Sequence, residues 1–227
     1  MVRTPTPELL DTDAGSPAEV ASSLADLRRI NRWLGGARTT ADLVRKVAHS
    51  LGAARASLCL LEIAAGSGYV PRAACDRLAR QGIRLQVTLL DRAASHLGAS
   101  RRPGDGAVVA DACRLPFRDA SFDLVSSNLF LHHLAPDRLI ACVRESLRVC
   151  RRAVLINDLI RHPLHLALVY AGMPLYRSRL TRHDAPASVR QAYTREEMLA
   201  LLHHTGAARI EMESYYLFRM GVIVWKT

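Results

Sequence analysis

Leu60-Leu61-Glu62-Ile63-Ala64-Ala65-Gly66-Ser67-Gly68 is the stretch that decides how this 227-residue chain is read. Ser57–Ile63 is a short apolar run of strand type, broken by a carboxylate near its end and followed by residues with little or no side chain. A strand that runs into such a turn and then into a helix lets a ligand approach backbone amides, because no bulky group stands in the way. Dinucleotides, flavins and sulfonium nucleosides are all held by turns of this kind. A nicotinamide dinucleotide asks for a third glycine where the helix packs on the strand, and here that position is Pro71. Glu62 at the strand end would repel a pyrophosphate, whereas it attracts an ammonium or sulfonium group.

Outward from the turn the pattern alternates. A helix is predicted over 69–81, closed by Gly82, and a second strand over 84–90 ends on Leu89-Leu90-Asp91. A weak helix follows as far as Gly98, then a third strand over 107–110 leads into Asp111-Ala112. A fourth strand spans 122–126. The segment 136–150 is a strongly amphipathic helix with Leu139, Ile140, Val143, Leu147 and Cys150 on one face. A fifth strand covers 153–157. Strands separated by helices predict βαβ units and a parallel sheet covered on both faces.

Upstream, one helix is predicted over 18–34, stopped by Gly35-Gly36, and another from the Thr39-Thr40 cap to Leu51-Gly52. Residues 1–18, rich in Pro, Thr, Asp and Gly, read as a flexible arm ahead of a single domain over 19–227. Downstream, 162–193 is an insertion ahead of a helix that Thr194 caps and Gly206 closes, with Glu196 and Glu197 in its first turn. Two strand-like runs, 209–214 and 216–224, have no helix between them and must pair antiparallel.

Composition narrows the classes. The 49% hydrophobic content suits one globular domain, and no apolar run reaches the length of a membrane span. The first residues lack the apolar core of a secretory signal, and five scattered cysteines without a C-x-x-C pair suit reduced thiols in a cytoplasmic protein. The net charge of +10 comes from dispersed arginines, since Lys46 and Lys226 are the only lysines, and 5% aromatic residues give little to interleave with them. Nucleic acid is therefore not expected as a partner.

Glu62, Asp91, Asp111-Ala112, Leu115-Pro116-Phe117 with Phe122-Asp123-Leu124-Val125, and Leu131-His132-His133-Leu134 follow one another in an order with a known counterpart. The run resembles class I S-adenosylmethionine-dependent methyltransferases, particularly the small-molecule branch that includes the quinone-biosynthesis methyltransferases. The resemblance covers about 58–154 and, by strand count, extends to 224. It implies a Rossmann-like α/β fold: a seven-stranded, mostly parallel sheet with the last strand antiparallel and helices on both faces. It also implies S-adenosyl-L-methionine as cofactor and S-adenosyl-L-homocysteine as product. Carried onto matching positions, the cofactor contacts are Glu62, Ala64, Gly66, Gly68, Asp91, Arg92, Asp111, Ala112 and Asn128. Asp91 would accept from the ribose hydroxyls, Asp111 from the adenine amino group, and Asn128 would lie at the methionine end. Ala64 stands where the family usually has its first glycine, and an alanine there calls for negative φ.

Methyl transfer from a sulfonium is an in-line displacement, so the enzyme must align the acceptor and, for a phenol, remove its proton. Histidine suits that task near neutral pH. His132 and His133 follow the fourth strand, on the edge where open α/β sheets bind ligands. Leu131-His132 is similar to the Leu-His step that supplies the base in plant-type O-methyltransferases, although an acidic residue follows there and His133 follows here. Asn157 at the end of strand five, with Tyr170, Arg177 and His183 in the 162–193 insertion, are candidate acceptor contacts, the cations suiting carboxylate or phenolate oxygens. Trp33 is a candidate lid aromatic. Asp158, His162 and His165 have a loose metal spacing, but Pro163 and the missing fourth ligand argue against it, and no metal is expected. The function expected is methyl transfer to a small-molecule acceptor, aromatic, phenolic or quinone-like. The alternatives are an RNA or protein methyltransferase and a non-catalytic cofactor-binding partner subunit.

Overall fold

In the computed structural model, which describes residues 1–12, 15–52, 57–97 and 105–226, the predicted alternation closes into one seven-stranded sheet. The strands are β1 (Ser57–Ile63), β2 (Arg84–Asp91), β3 (Gly106–Val109), β4 (Phe122–Asn128), β5 (Cys150–Leu159), β6 (Arg209–Tyr215) and β7 (Arg219–Trp225), in the order β3-β2-β1-β4-β5-β7-β6. Pairs among β1 to β5 are parallel, while β7 runs antiparallel to both β5 and β6. This is the Rossmann-like methyltransferase arrangement that the sequence led us to expect.

Side-chain alternation along β1 builds two cores. Leu58 and Leu60 face α2 (Gly36–Ser50) and α3 (Tyr69–Ala79), joining Leu43, Val44, Val47, Ala74 and Leu78. Leu61 and Ile63 face the other way, onto α4 (Pro136–Val149) and α7 (Arg195–Leu202), through Leu139, Val143, Leu147, Met198 and Leu202. Ala153, Val154, Leu155 and Ile156 of β5 are buried on both sides, which is why that strand reads as an unbroken apolar run.

The remaining helices are α1 (Pro17–Trp33), α5 (Pro163–Ala171) and α6 (Arg179–Gln191). Helix α1 opens on a capping box formed by Ser16 and Glu19. Buried Asp26 on α1 accepts the amides of Arg177 and Ser178 at 2.9 Å each, and Ser23 meets Thr181 at 3.1 Å. These bonds fasten the inserted segment to the N-terminal helix.

Several expectations shift. Helix α2 begins three residues before Thr39, because Gly35 takes φ +82° and turns the chain straight into it. Residues 94–97 form turns, not a helix; Gly98 lies outside the described residues. The run expected as a strand from 216 enters the sheet only at Arg219, because Leu217 and Phe218 take φ +51° and +58° in the β6–β7 turn. The N-terminal residues, expected as a flexible arm, are held down. Arg3 donates to the carbonyls of Gln191, His132 and Leu134, and Asp184 accepts the amides of Leu9 and Leu10. The compositional reading failed there because the partners lie on α6 and beyond β4, far along the chain. Among the described residues no helix is long and apolar enough to cross a membrane.

Candidate active site

A cavity of ≈ 650 Å³ lies at the carboxyl ends of the parallel strands. One end of it is made by the β1 turn. Gly66 and Gly68 have φ +50° and +71°, and a Cβ on Gly68 would come within 2.6 Å of Leu89. A Cβ on Gly66 would meet nothing within 4 Å, so the backbone there opens onto the cavity. Ala64 also takes positive φ, +49°, contrary to the negative value expected. The turn imposes the left-handed conformation that a glycine usually supplies, and alanine bears a strain of about 1–2 kcal/mol. Leu129, immediately after Asn128, sits at φ +52° on the same cavity wall.

Asp91 lines the cavity from the end of β2. Its carboxylate accepts the Gly66 amide at 2.8 Å and the Ala93 amide at 3.0 Å, so it fixes the turn while keeping lone pairs for a ligand. Burial pushes its pKa up, but His96 and the two amides outweigh that and hold it below the usual range. Arg92, Asp111, Ala112 and Asn128 also line the cavity. The Cys113 amide, at 2.8 Å, holds the half-exposed Asp111 carboxylate ionised, with Arg138 assisting at 3.2 Å.

Glu62 is placed differently from the sequence expectation. It is fully buried beneath the turn, is not among the described residues lining the cavity, and takes a hydrogen bond from Ser126. Register explains this, since Glu62 and Ser126 are paired positions on adjacent β1 and β4. Burial pushes its pKa up to about 7, with the Ser126 hydroxyl pulling the other way.

The opposite end is built around two histidines on the turn after β4. His132 Nδ1 lies 2.6 Å from Asp158 Oδ1, and Asp158 Oδ2 accepts the His132 amide at 3.1 Å. His133 Nδ1 lies 2.7 Å from Asp11. Glu8, from the N-terminal segment, reaches between them, with Oε1 at 3.6 Å from His132 Nε2 and 3.8 Å from His133 Nε2. Burial lowers the His132 pKa, but Asp158 and then Glu8 raise it further, to about 10. With both carboxylates in place the imidazole keeps its proton through neutral pH.

The other expected acceptor contacts are not brought to the cavity. Asn157 is buried under α2, donating to Gly36 O at 2.8 Å and Thr40 Oγ1 at 3.0 Å. It also accepts from Arg219 at 2.9 Å. Arg219 is itself buried and gathers Asn31, Asn128 and Asn157; burial lowers its pKa to about 10. Tyr170 bonds Arg190 at 2.6 Å on the surface, Arg177 is exposed, and His183 pairs with neighbouring Asp184 at 2.9 Å. Trp33 is 76% exposed. Of α6, only Ser188 is among the described lining residues. The 162–193 insertion is largely helix, and Arg177, Arg179 and Arg182 turn outward while α1 and the N-terminal residues roof the cavity. Sequence reasoning missed Glu8 and Asp11, which carry no local signal; Asp158 stood beside Asn157 at the end of β5, but its link to His132 is visible only in the fold.

Residues 61–156 match the methyltransferase domain family. A comparison with curated protein sequences gives no match. Among solved structures, the chain is similar to the plantazolicin methyltransferase BpumL, crystallised with a monoazolic desmethylPZN analog and SAH. The TM-score is 0.69 at 11% identity, over 92% of this chain and 90% of that one. It is similar to human N-acetylserotonin methyltransferase in complex with SAM, with a TM-score of 0.63 and 14% identity over 88% of this chain and 53% of that one. It is also similar to magnesium protoporphyrin IX methyltransferase from Synechocystis PCC 6803 with bound SAH. There the TM-score is 0.55 and the identity 14%, over 85% and 84% of the two chains. Residues 61–156 thus match a methyltransferase domain, and the chain has the fold of S-adenosylmethionine-dependent methyltransferases.

Proposed function

We propose that the chain transfers a methyl group from S-adenosyl-L-methionine to a small-molecule acceptor, aromatic, phenolic or quinone-like. The observation that carries this is one cavity joining two chemistries. A glycine turn with Asp91 and Asp111 stands at one end, and a carboxylate-held histidine at the other. The solved relatives holding S-adenosylmethionine or its product support the cofactor. The residues fit it: the turn leaves open space beside Gly66, Asp91 offers its remaining lone pairs to ribose hydroxyls, and Asp111 with the Ala112 amide suits the adenine edge. The cofactor supplies an electrophilic methyl group on sulfur. Glu62 acts from beneath the turn, adding negative potential toward a cationic ligand when ionised.

The chain's own work at the other end is alignment and proton removal. Asp158 fixes the His132 ring through Nδ1 and leaves Nε2 facing the cavity. An acceptor hydroxyl that displaces Glu8 removes one of the two carboxylates that keep Nε2 protonated; the Nε2 proton leaves with the Glu8 carboxylate, and the neutral His132 can then take the hydroxyl proton. An acceptor screen that detects S-adenosyl-L-homocysteine tests the reading; release from no phenolic or quinone-like compound, with RNA or protein methylated instead, would reject it.

A further inference from the structure

Glu8, His132 and His133 share a geometry that proton transfer does not require. All three present one ligand atom to a common point, each within 4.8 Å of the others. Both rings turn Nε2 inward, 3.6 and 3.8 Å from Glu8 Oε1. His132 Nε2 is buried with no hydrogen-bond partner, an arrangement that leaves a donor atom aimed at this point.

Each of the three is also braced from behind. Asp158 holds His132 Nδ1 at 2.6 Å, and Asp11 holds His133 Nδ1 at 2.7 Å. Gln191 Nε2 donates to Glu8 Oε1 at 2.8 Å, and Ser188 Oγ donates to the same atom. Carboxylates on Nδ1 fix the tautomer that offers the Nε2 lone pair, and hydrogen bonds steady a ligating carboxylate. Three carboxylates gather on two imidazoles, while Arg3 and Arg92 bond main-chain carbonyls nearby. A bound cation would take the place of the proton that these carboxylates hold on His132.

We propose that Glu8, His132 and His133 form a site for one divalent first-row transition cation, of the zinc, iron or cobalt type, at the acceptor end of the cavity. Two imidazoles and one carboxylate suit such a cation better than magnesium or calcium, which prefer oxygen ligands. Metal–ligand bonds of about 2.0–2.2 Å need the three side chains to draw together, and the braces set the direction of that movement. All three ligands line the cavity, so the remaining coordination positions face the space for the acceptor. In a use that rests on the methyl-transfer reading, the cation binds an acceptor hydroxyl or enol oxygen and favours its deprotonated form, the proton leaving to solvent. With the cation bound His132 serves as ligand, and it acts as base in the metal-free chain, because both roles use the same lone pair.

The test uses the full chain stripped with a chelator and titrated with cobalt(II), followed by visible absorption and by displacement with zinc. One equivalent should bind. Glu8→Gln and His133→Ala should each weaken it by at least about 100-fold, and the brace variant Asp11→Asn by about 10-fold. Calorimetry with S-adenosyl-L-methionine on the same samples reports separately on folding and on the methyl-transfer reading. A chain that binds the cofactor but no cobalt, or binds cobalt equally well in the Glu8 and His133 variants, overturns the metal site alone. A chain that takes cobalt as stated but no cofactor overturns the methyl-transfer reading and leaves the metal site standing.

Discussion

The two ends of the cavity are built by opposite means. At the nucleotide end, the β1 turn, Asp91 and Asp111 are each the next thing in the chain after a strand, so adjacent parallel strands bring them together automatically. At the acceptor end, Glu8, Asp11, His132, His133, Asp158 and Ser188 come from the N-terminal segment, the turn after β4, the end of β5 and α6. One end is a property of the sheet, and the other is a property of long-range packing. Single changes at the first should therefore affect binding, and changes at the second should affect turnover.

The largest effect expected is at Asp91. Asp91→Ala takes the acceptor away from the Gly66 amide as well as from the ribose, and cofactor binding should be lost from calorimetry, a fall of more than about 10⁴-fold. An unchanged affinity would place the nucleotide elsewhere. Next comes His132→Ala, which should cut turnover by about 10²–10⁴ while cofactor affinity stays within about twofold; equal losses in both would erase the division between the two ends.

A smaller effect separates burial from binding at Glu62. Its carboxyl has a folded pKa of about 7, above the unfolded 4.5. The folded chain therefore keeps a proton that the unfolded chain loses between these values, and stability falls as pH rises from 4.5 to 7. The span corresponds to on the order of 3 kcal/mol. Glu62→Gln should remove that decline, raising the melting temperature at pH 8 relative to the parent and changing it little at pH 5. A parallel pH profile in parent and variant would contradict the assignment. The smallest effect is at Tyr170. Tyr170→Phe loses a surface bond to Arg190 and should change stability by no more than about 0.5 kcal/mol, with the acceptor KM unmoved. A large KM change would restore the inserted segment as part of the acceptor site.

The same contrast explains what the sequence made legible. Strand type, order and the glycine turn follow from periodicity and local sterics, so β1 was placed to the residue and the antiparallel β7 was expected from the missing helix. Ala64 and Glu62 were misjudged in detail. The first depends on a dihedral that the whole turn dictates, and the second on which neighbouring strand supplies a hydroxyl. Arg177 and His183 drew attention as basic residues in an insertion, yet Arg177 ahead of α6 and His183 on it are exposed, and α6 presents Ser188 inward instead. Glu8 lay in a segment whose composition suggested looseness, and partners far along the chain hold it in place: distant carbonyls, Asp184, Ser188, Gln191 and the histidines.

Calorimetry of the chain with S-adenosyl-L-methionine and, separately, with NAD tests the central claim most directly. The predicted result is one equivalent of S-adenosyl-L-methionine bound, loss of that binding in Asp91→Ala, and no heat from NAD. Binding of NAD with none of S-adenosyl-L-methionine would contradict it.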